Sequence, residues 1–161
     1  MKRRDANVEA LIAELDRMKS EGAALPALLE TAVAGLHEGD DRFNWTGIYE
    51  LGPDRVLHLG PFRGAPTEHT DIPVGRGVCG TAVAEARNLN IPDVRVASNY
   101  LACSLRTRSE LVVLIREGET IFAQIDIDSH RVNAFDASAT RKVEAVAAWL
   151  SKAYAAARAT T

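Results

Sequence analysis

Apolar side chains recur at helical spacing near both ends of the chain. The first two stripes, separated by a break at Gly22, predict helices within residues 5–37. Asp136 is a good N-cap for a last helix over residues 137–156. The side chains predicted to form the buried stripe of that helix are Val143, Val146, Ala147, Leu150 and Tyr154.

Between these helices the pattern changes to the alternation of apolar and polar residues that strands show. The predicted strands are residues 45–51, 55–59, 71–74, 89–91, 110–115 and 120–128, with a helix ending near Asn88. Hairpins separated by a helix favour an α+β fold, with an antiparallel sheet and helices on one side. Two loops are expected, over residues 60–70 and 92–108.

Composition narrows the class of protein further. The chain has 161 residues, 47% of them hydrophobic and 25% charged, so a single domain over residues 1–161 is expected, with the sheet and loops at 44–130. A net charge of −3 provides no basic surface for nucleic acid, and no apolar run is long enough to span a membrane. The N-terminal residues lack the apolar stretch of a secretory signal, so the cytoplasm is the expected compartment.

Three carboxylates occupy strand positions where a charged side chain is energetically unfavourable unless it has a functional role. Glu110 begins an apolar strand, and Asp126 and Asp128 are two residues apart, which places them on the same face of a strand. One interpretation is a solvent-facing polar stripe on an edge strand. The other is a shared receptor for an ammonium group, or a carboxyl pair that splits into acid and base roles because each member raises the pKa of the other.

The two cysteines, Cys79 and Cys103, are either inert core residues or redox-active thiols. Cys79 lies at a predicted helix start, where the helix dipole and Arg76 favour a thiolate. Cys103 lies in a predicted loop with Arg106 and Arg108 shortly after it.

Trp45 and Tyr49 are four residues apart on one strand and therefore share a face. They are either core residues or the apolar wall of a ligand pocket that accepts a methyl group or a soft sulfur. The four histidines show no metal-ligand spacing, so no metal site is predicted.

Six segments, in this order, resemble the free methionine-(R)-sulfoxide reductases. They are Asn44-Trp45-Thr46-Gly47-Ile48-Tyr49, Leu59-Gly60-Pro61-Phe62, Gly75-Arg76-Gly77-Val78-Cys79-Gly80-Thr81-Ala82, Ala102-Cys103, Ser109-Glu110-Leu111-Val112 and Asp126-Ile127-Asp128-Ser129. The resemblance covers roughly residues 8–154 and implies the GAF fold, a twisted antiparallel sheet flanked by helices. It also implies an enzyme that uses a cysteine thiol.

The resemblance implies a role for each matching residue. Cys103 matches the catalytic cysteine, which attacks the sulfoxide sulfur and becomes a sulfenic acid. Glu110, Asp126 and Asp128 match the carboxylates that hold the substrate ammonium and help protonate the sulfoxide oxygen. The aromatic wall around the substrate methyl is matched by Trp45 and Tyr49. No cofactor is implied, because thioredoxin or a low-molecular-weight thiol supplies the electrons.

The sequence departs from the family pattern at two positions. The loop before Gly75 holds no cysteine, although many family members have their resolving thiol there, so Cys79 is the remaining candidate for that role. Ser104 follows Cys103 where the family usually has an aspartate.

Two other functions remain open at this point: a non-catalytic GAF domain that binds a small ligand, and a redox switch at Cys103. A homodimer is compatible with the sequence, which does not give the oligomeric state.

Overall fold

The computed structural model describes residues 8–96 and 106–160, which form four α-helices and six strands. The helices are α1 (Val8–Ser20), α2 (Leu25–Gly39), α3 (Gly77–Glu85) and α4 (Ala137–Ala159). The strands are β1 (Trp45–Leu51), β2 (Val56–Arg63), β3 (Asp71–Pro73), β4 (Leu89–Ile91), β5 (Ser109–Glu117) and β6 (Thr120–Ser129). None of these helices combines the length and the apolar character needed to cross a membrane.

The six strands form one antiparallel sheet in the order β3-β2-β1-β6-β5-β4. Its two hairpins, β1–β2 and β5–β6, are those predicted from the alternating pattern. The pairing of β1 with β6 joins them and places both strands in the middle of the sheet. The α+β class and the antiparallel sheet are therefore confirmed.

One face of the sheet carries the larger hydrophobic core. Alternate residues of β5 and β6 point to this face, and α1, α2 and α4 cover it. The predicted stripe of α4 is buried there at all five positions, Val143, Val146, Ala147, Leu150 and Tyr154. This layer holds the central strands in a fixed register.

The opposite face is covered by α3, which contributes Val78, Cys79, Ala82 and Val83 to a second, smaller core. The prediction that the helices lie on one side of the sheet is therefore wrong for α3. A short helix with six buried residues among nine has no polar face from which its position can be inferred. The face of the sheet beneath α3 carries the candidate site.

Strand β2 continues to Arg63, so the loop predicted over residues 60–70 begins only at Gly64. Pro61 suggested a loop because it cannot donate a ladder hydrogen bond. Beyond His58, however, β2 pairs with β1 alone, and a strand with one open side accommodates a proline.

The N-terminus of α4 provides a test of the fold. The carboxylate of Asp136 accepts a hydrogen bond from the backbone N–H of Ala139 at 2.8 Å, which confirms the predicted N-cap. We expect Asp136→Ala to lower the free energy of unfolding by about 1 kcal/mol, because it removes this bond. Asp136→Asn keeps an acceptor and should lose clearly less. Equal losses in urea unfolding would show that the cap bond does not stabilise α4.

Candidate active site

Three carboxyl groups are buried together on the face of the sheet that α3 covers. Glu110 on β5 lies directly opposite Asp128 on β6, and Asp126 lies two residues further along β6 on the same face. Their exposed fractions are 2%, 1% and 0%, respectively. Both strands are interior, so the interpretation of a solvent-facing polar stripe on an edge strand is wrong.

Helix α3 adds a thiol to this cluster. The Sγ atom of Cys79 lies 3.9 Å from Oε2 of Glu110, and the side-chain amide of Gln124 donates to the backbone carbonyl of Cys79 at 3.0 Å. Cys79 is in the first turn of α3, as predicted, but its sulfur contacts a buried carboxyl group whereas Arg76 is exposed. Sequence periodicity could not predict this contact, because Cys79 and Glu110 are 31 residues apart and lie on different elements.

Burial and mutual repulsion change the protonation of the cluster. The pKa of Glu110 is raised well above its ordinary value of 4.5, first by burial and then by the charges of Asp126 and Asp128. Burial also raises the pKa of Asp126, although the neighbouring side chains of Glu110 and Cys79 oppose this rise. The cluster therefore keeps a proton at pH values at which exposed carboxyl groups are ionised.

Such a cluster has two chemical capacities. A protonated carboxylic acid can donate its proton to a substrate atom, and an ionised neighbour can receive a cation. Sγ of Cys79 and carboxylate oxygens of Glu110 and Asp126 lie within 4.8 Å of one another, a spacing that also suits one divalent metal ion. The sequence did not indicate that spacing, since the three residues come from three different elements.

The two aromatic residues that were predicted to share a face, Trp45 and Tyr49, are on β1. This strand lies beside β6, which carries Asp126 and Asp128. Trp45 stacks on Phe62 with ring centroids 5.7 Å apart, and Tyr49 lies 6.3 Å from Trp45. Gly47 leaves room for the indole ring, because a Cβ atom at this position would lie 2.4 Å from Trp45. The indole N–H donates to the carbonyl of Ala65, so the loop after β2 closes against the aromatic cluster.

A cavity of about 180 Å³ opens next to this cluster. Its lining residues are Asn44, Trp45, Ala65, Arg106, Thr107, Asp128 and His130. Trp45 and Asp128 are predicted site residues, whereas Tyr49 is fully buried and does not line the cavity. Both aromatic residues pack in the smaller core, and Trp45 also lines the cavity. His130 was not predicted, because an isolated histidine after a strand carries no pattern.

Cys103, the predicted attacking thiol, lies outside the described residues, and so does Ser104. The structure therefore does not test the roles of Cys103 and Ser104, or whether Cys79 can reach Cys103. Arg106, three residues further along the sequence, is described and lines the cavity.

The fold and the buried site define the class of protein. A family model for the GAF domain matches residues 23–154, which include the sheet, α3 and most of α4. A free methionine-R-sulfoxide reductase of Escherichia coli is 41% identical over 112 residues, which are 70% of this chain and 66% of that enzyme.

Two solved structures extend the comparison over nearly the whole chain. The fRMsr of Staphylococcus aureus in complex with substrate is 32% identical, with 95% of this chain and 99% of that chain covered and a TM-score of 0.81. The free methionine-R-sulfoxide reductase of Neisseria meningitidis, also in complex with its substrate, is 28% identical. The match covers 100% of this chain and 99% of that chain, with a TM-score of 0.86. The chain belongs to the GAF family and, within it, to the free methionine-R-sulfoxide reductases.

The raised pKa of Glu110 predicts a pH-dependent stability. The unfolded chain loses this proton near the ordinary pKa of 4.5, whereas the folded protein keeps it. Above that pH the native state therefore binds more protons than the unfolded state, and the free energy of unfolding falls as the pH rises. Glu110→Gln removes this term, so we expect the variant to gain stability relative to wild type as the pH rises.

Urea unfolding at several pH values between about 5 and 8 measures this difference. Glu119→Gln, in the exposed turn between β5 and β6, is the matched control and should show no such trend. A Glu110→Gln variant whose stability relative to wild type stays constant across this range would contradict the assignment of a buried proton to Glu110.

Proposed function

We propose that this protein reduces free L-methionine-(R)-sulfoxide to methionine through a cysteine sulfenic acid. The observation that carries the proposal is the buried cluster of Glu110, Asp126 and Asp128 next to the wall formed by Trp45. Family membership supports the reaction, because the relatives whose structures contain substrate are named as free methionine-R-sulfoxide reductases.

The first proposed role of the cluster is to receive the α-ammonium group of the substrate. Buried carboxylates that repel one another gain more from a bound cation than exposed ones do, because little water screens the attraction. Asp128 is the member of the cluster that lines the cavity and is the proposed contact for the ammonium group. The indole of Trp45 then accepts the apolar end of the substrate, including its methyl group.

The second proposed role is proton delivery. Reduction of a sulfoxide requires its oxygen to be protonated as the sulfur is attacked, and a neutral carboxylic acid supplies that proton. The raised pKa of Glu110 keeps this group protonated at pH values at which an exposed glutamate is ionised. We therefore propose Glu110 as the acid, with the charges of Asp126 and Asp128 helping to hold its proton.

The covalent step is proposed for Cys103. Its thiolate attacks the sulfoxide sulfur, the sulfur–oxygen bond breaks, and the oxygen ends on Cys103 as a sulfenic acid while methionine leaves as the two-electron reduced product. One thiol condenses with the sulfenic acid to a disulfide and releases water. A second thiol then reduces that disulfide and restores Cys103.

We propose that an external low-molecular-weight thiol or thioredoxin, and not Cys79, resolves the sulfenic acid. Cys79 is only 5% exposed, and its sulfur contacts Glu110 inside the cluster. Moving that sulfur to a partner would break its contact with Glu110. A reducing compartment such as the cytoplasm fits this chemistry, and no cofactor is required.

The test is an assay of free L-methionine-(R)-sulfoxide with dithiothreitol, in which methionine is measured. We expect Cys103→Ser to abolish methionine formation in a single turnover, because the attacking thiol is lost. Cys79→Ser should retain most of the activity and serves as the matched control. The reverse pattern would overturn the assignment. Binding of the sulfoxide without any turnover by wild type would indicate a ligand-binding GAF domain.

The resolving step is tested by treating the reduced protein with one equivalent of substrate and mapping its cysteines by mass spectrometry. We expect a sulfenic acid on Cys103, or a mixed disulfide when a small thiol is added. A Cys79–Cys103 disulfide in high yield would contradict the proposal of an external thiol, because it would show that Cys79 leaves the carboxyl cluster during turnover.

A further inference from the structure

A thiol and two carboxyl groups converge on one point beneath helix α3. Sγ of Cys79 and one carboxylate oxygen each from Glu110 and Asp126 lie within 4.8 Å of one another. The three side chains come from α3, β5 and β6, and none of them is more than 5% exposed. Regular elements of the fold, and not a loop, therefore hold one sulfur and two oxygen donors together.

Asp126 is the member of this group that lacks compensation for its burial. Its side chain is 0% exposed, and neither of its carboxylate oxygens makes a hydrogen bond of ordinary geometry with any residue that the structure describes. Buried carboxylate oxygens normally have a donor or a cation as their partner. A metal ion at the point where the sulfur of Cys79 and an oxygen of Glu110 converge would supply that partner.

The spacing of the donors suits Zn²⁺. Bond lengths of about 2.3 Å to sulfur and about 2.0–2.2 Å to oxygen place two such ligands of a tetrahedral site about 3.6 Å apart. The 3.9 Å between Sγ of Cys79 and Oε2 of Glu110 exceeds that separation by only a few tenths of an ångström. Mg²⁺ and Ca²⁺ prefer six or more oxygen ligands, so the sulfur favours Zn²⁺ over both.

The surroundings hold the donors in place and leave a route to them. The side-chain amide of Gln124 donates to the backbone carbonyl of Cys79 at 3.0 Å, which fixes the first turn of α3 over β6. Asp128 lies opposite Glu110 in the β5–β6 hairpin and lines the cavity of about 180 Å³. The cavity therefore gives an ion a route to the cluster, and either Asp128 or a water molecule can complete a four-ligand set.

We propose that Cys79, Glu110 and Asp126 bind Zn²⁺, and that the bound ion stops sulfoxide reduction. The inhibition rests on the proposed function, in which Glu110 supplies a proton and the negative charge of the cluster holds the substrate ammonium group. A metal ion takes the place of the protons on Glu110 and Cys79 and neutralises that charge. Zn²⁺ is thus an inhibitor and not a cofactor, and Cys79 is the residue that makes the acidic cluster selective for it.

Metal binding is tested on the reduced, metal-free Cys103→Ser variant, in which Cys79 is the one remaining cysteine. The first probe is Co²⁺, because a thiolate bound to Co²⁺ gives a charge-transfer absorption band in the near ultraviolet that carboxylates do not give. Zn²⁺ or Mg²⁺ is then added to displace Co²⁺, and the affinity for Zn²⁺ is measured by competition with a chromophoric chelator. The titrations are repeated after adding Cys79→Ser or Asp126→Asn.

We expect one Co²⁺ per chain with the charge-transfer band, displaced by Zn²⁺ and not by Mg²⁺. Adding Cys79→Ser should remove the band and weaken Zn²⁺ binding at least about a hundredfold, because even residues that only support a ligand contribute roughly tenfold to a hundredfold. Asp126→Asn should weaken binding by a similar factor and keep the band at higher Co²⁺ concentration. The matched control is His58→Ala, which removes an exposed histidine paired with two aspartates and should change nothing.

Inhibition is measured in a single turnover without dithiothreitol, because dithiols themselves bind Zn²⁺. Reduced wild-type protein receives one equivalent of free L-methionine-(R)-sulfoxide with or without Zn²⁺, and methionine is measured. We expect Zn²⁺ to abolish methionine formation and a chelator to restore it. The Cys79→Ser variant should tolerate at least about a hundredfold more Zn²⁺. Equal inhibition of this variant would place the inhibitory ion elsewhere, for example on Cys103, and would overturn the proposed inhibition.

The remaining outcomes separate the metal site from the reaction. Absence of the charge-transfer band, or an unchanged Zn²⁺ affinity in Cys79→Ser, would overturn the site. Loss of binding in His58→Ala would overturn it as well, because the ion would then lie at the exposed histidine. If Zn²⁺ binds at Cys79 and turnover continues, the inhibition alone is wrong. If wild type forms no methionine even without Zn²⁺, the proposed function fails, while the Co²⁺ titration still decides the metal site.

Discussion

Burying three carboxyl groups on the central strands is the constraint on which the rest of this structure depends. Ionised carboxylates in a protein interior are unfavourable by several kcal/mol each unless a proton, a cation or hydrogen-bond donors compensate. Glu110, Asp126 and Asp128 receive part of that compensation from a retained proton, which the raised pKa of Glu110 reflects. Their remaining negative charge makes the cluster a receptor for a cation, so the unfavourable burial and the proposed binding have one cause.

The opposite face of the sheet makes this burial tolerable. Leu111, Val113, Ile125 and Ile127 lie on β5 and β6, point to the face opposite the acidic residues and are at most 2% exposed. Each strand therefore contributes apolar residues to the helical layer and acidic residues to the site. At about 1.5–3 kcal/mol for each fully buried aliphatic side chain, this face stabilises the register that holds the carboxyl groups together.

The same alternation explains what the sequence could predict. Ile-Asp-Ile-Asp at residues 125–128 shows that Asp126 and Asp128 share a face, and the turn residues place the hairpins correctly. Local periodicity identifies a face but not the element that covers it. For that reason the sequence did not place α3 over the site, or the sulfur of Cys79 against Glu110. Arg106 precedes β5, His130 follows β6, and both line the cavity. Sequence periodicity does not indicate that these two residues lie beside the same cavity.

The surroundings of Cys79 differ from those that a nucleophilic thiolate needs. A nucleophilic thiolate needs nearby positive charge, and the first turn of a helix normally provides some of it. At Cys79 the sulfur instead contacts a carboxyl group of the buried acidic cluster, and the negative charge that remains on this cluster disfavours a thiolate there. A protonated thiol fits beside Glu110 as a neutral, weakly donating neighbour. Cys79 therefore packs against the carboxyl site, and the proposed mechanism assigns the attacking and resolving chemistry to thiols outside it.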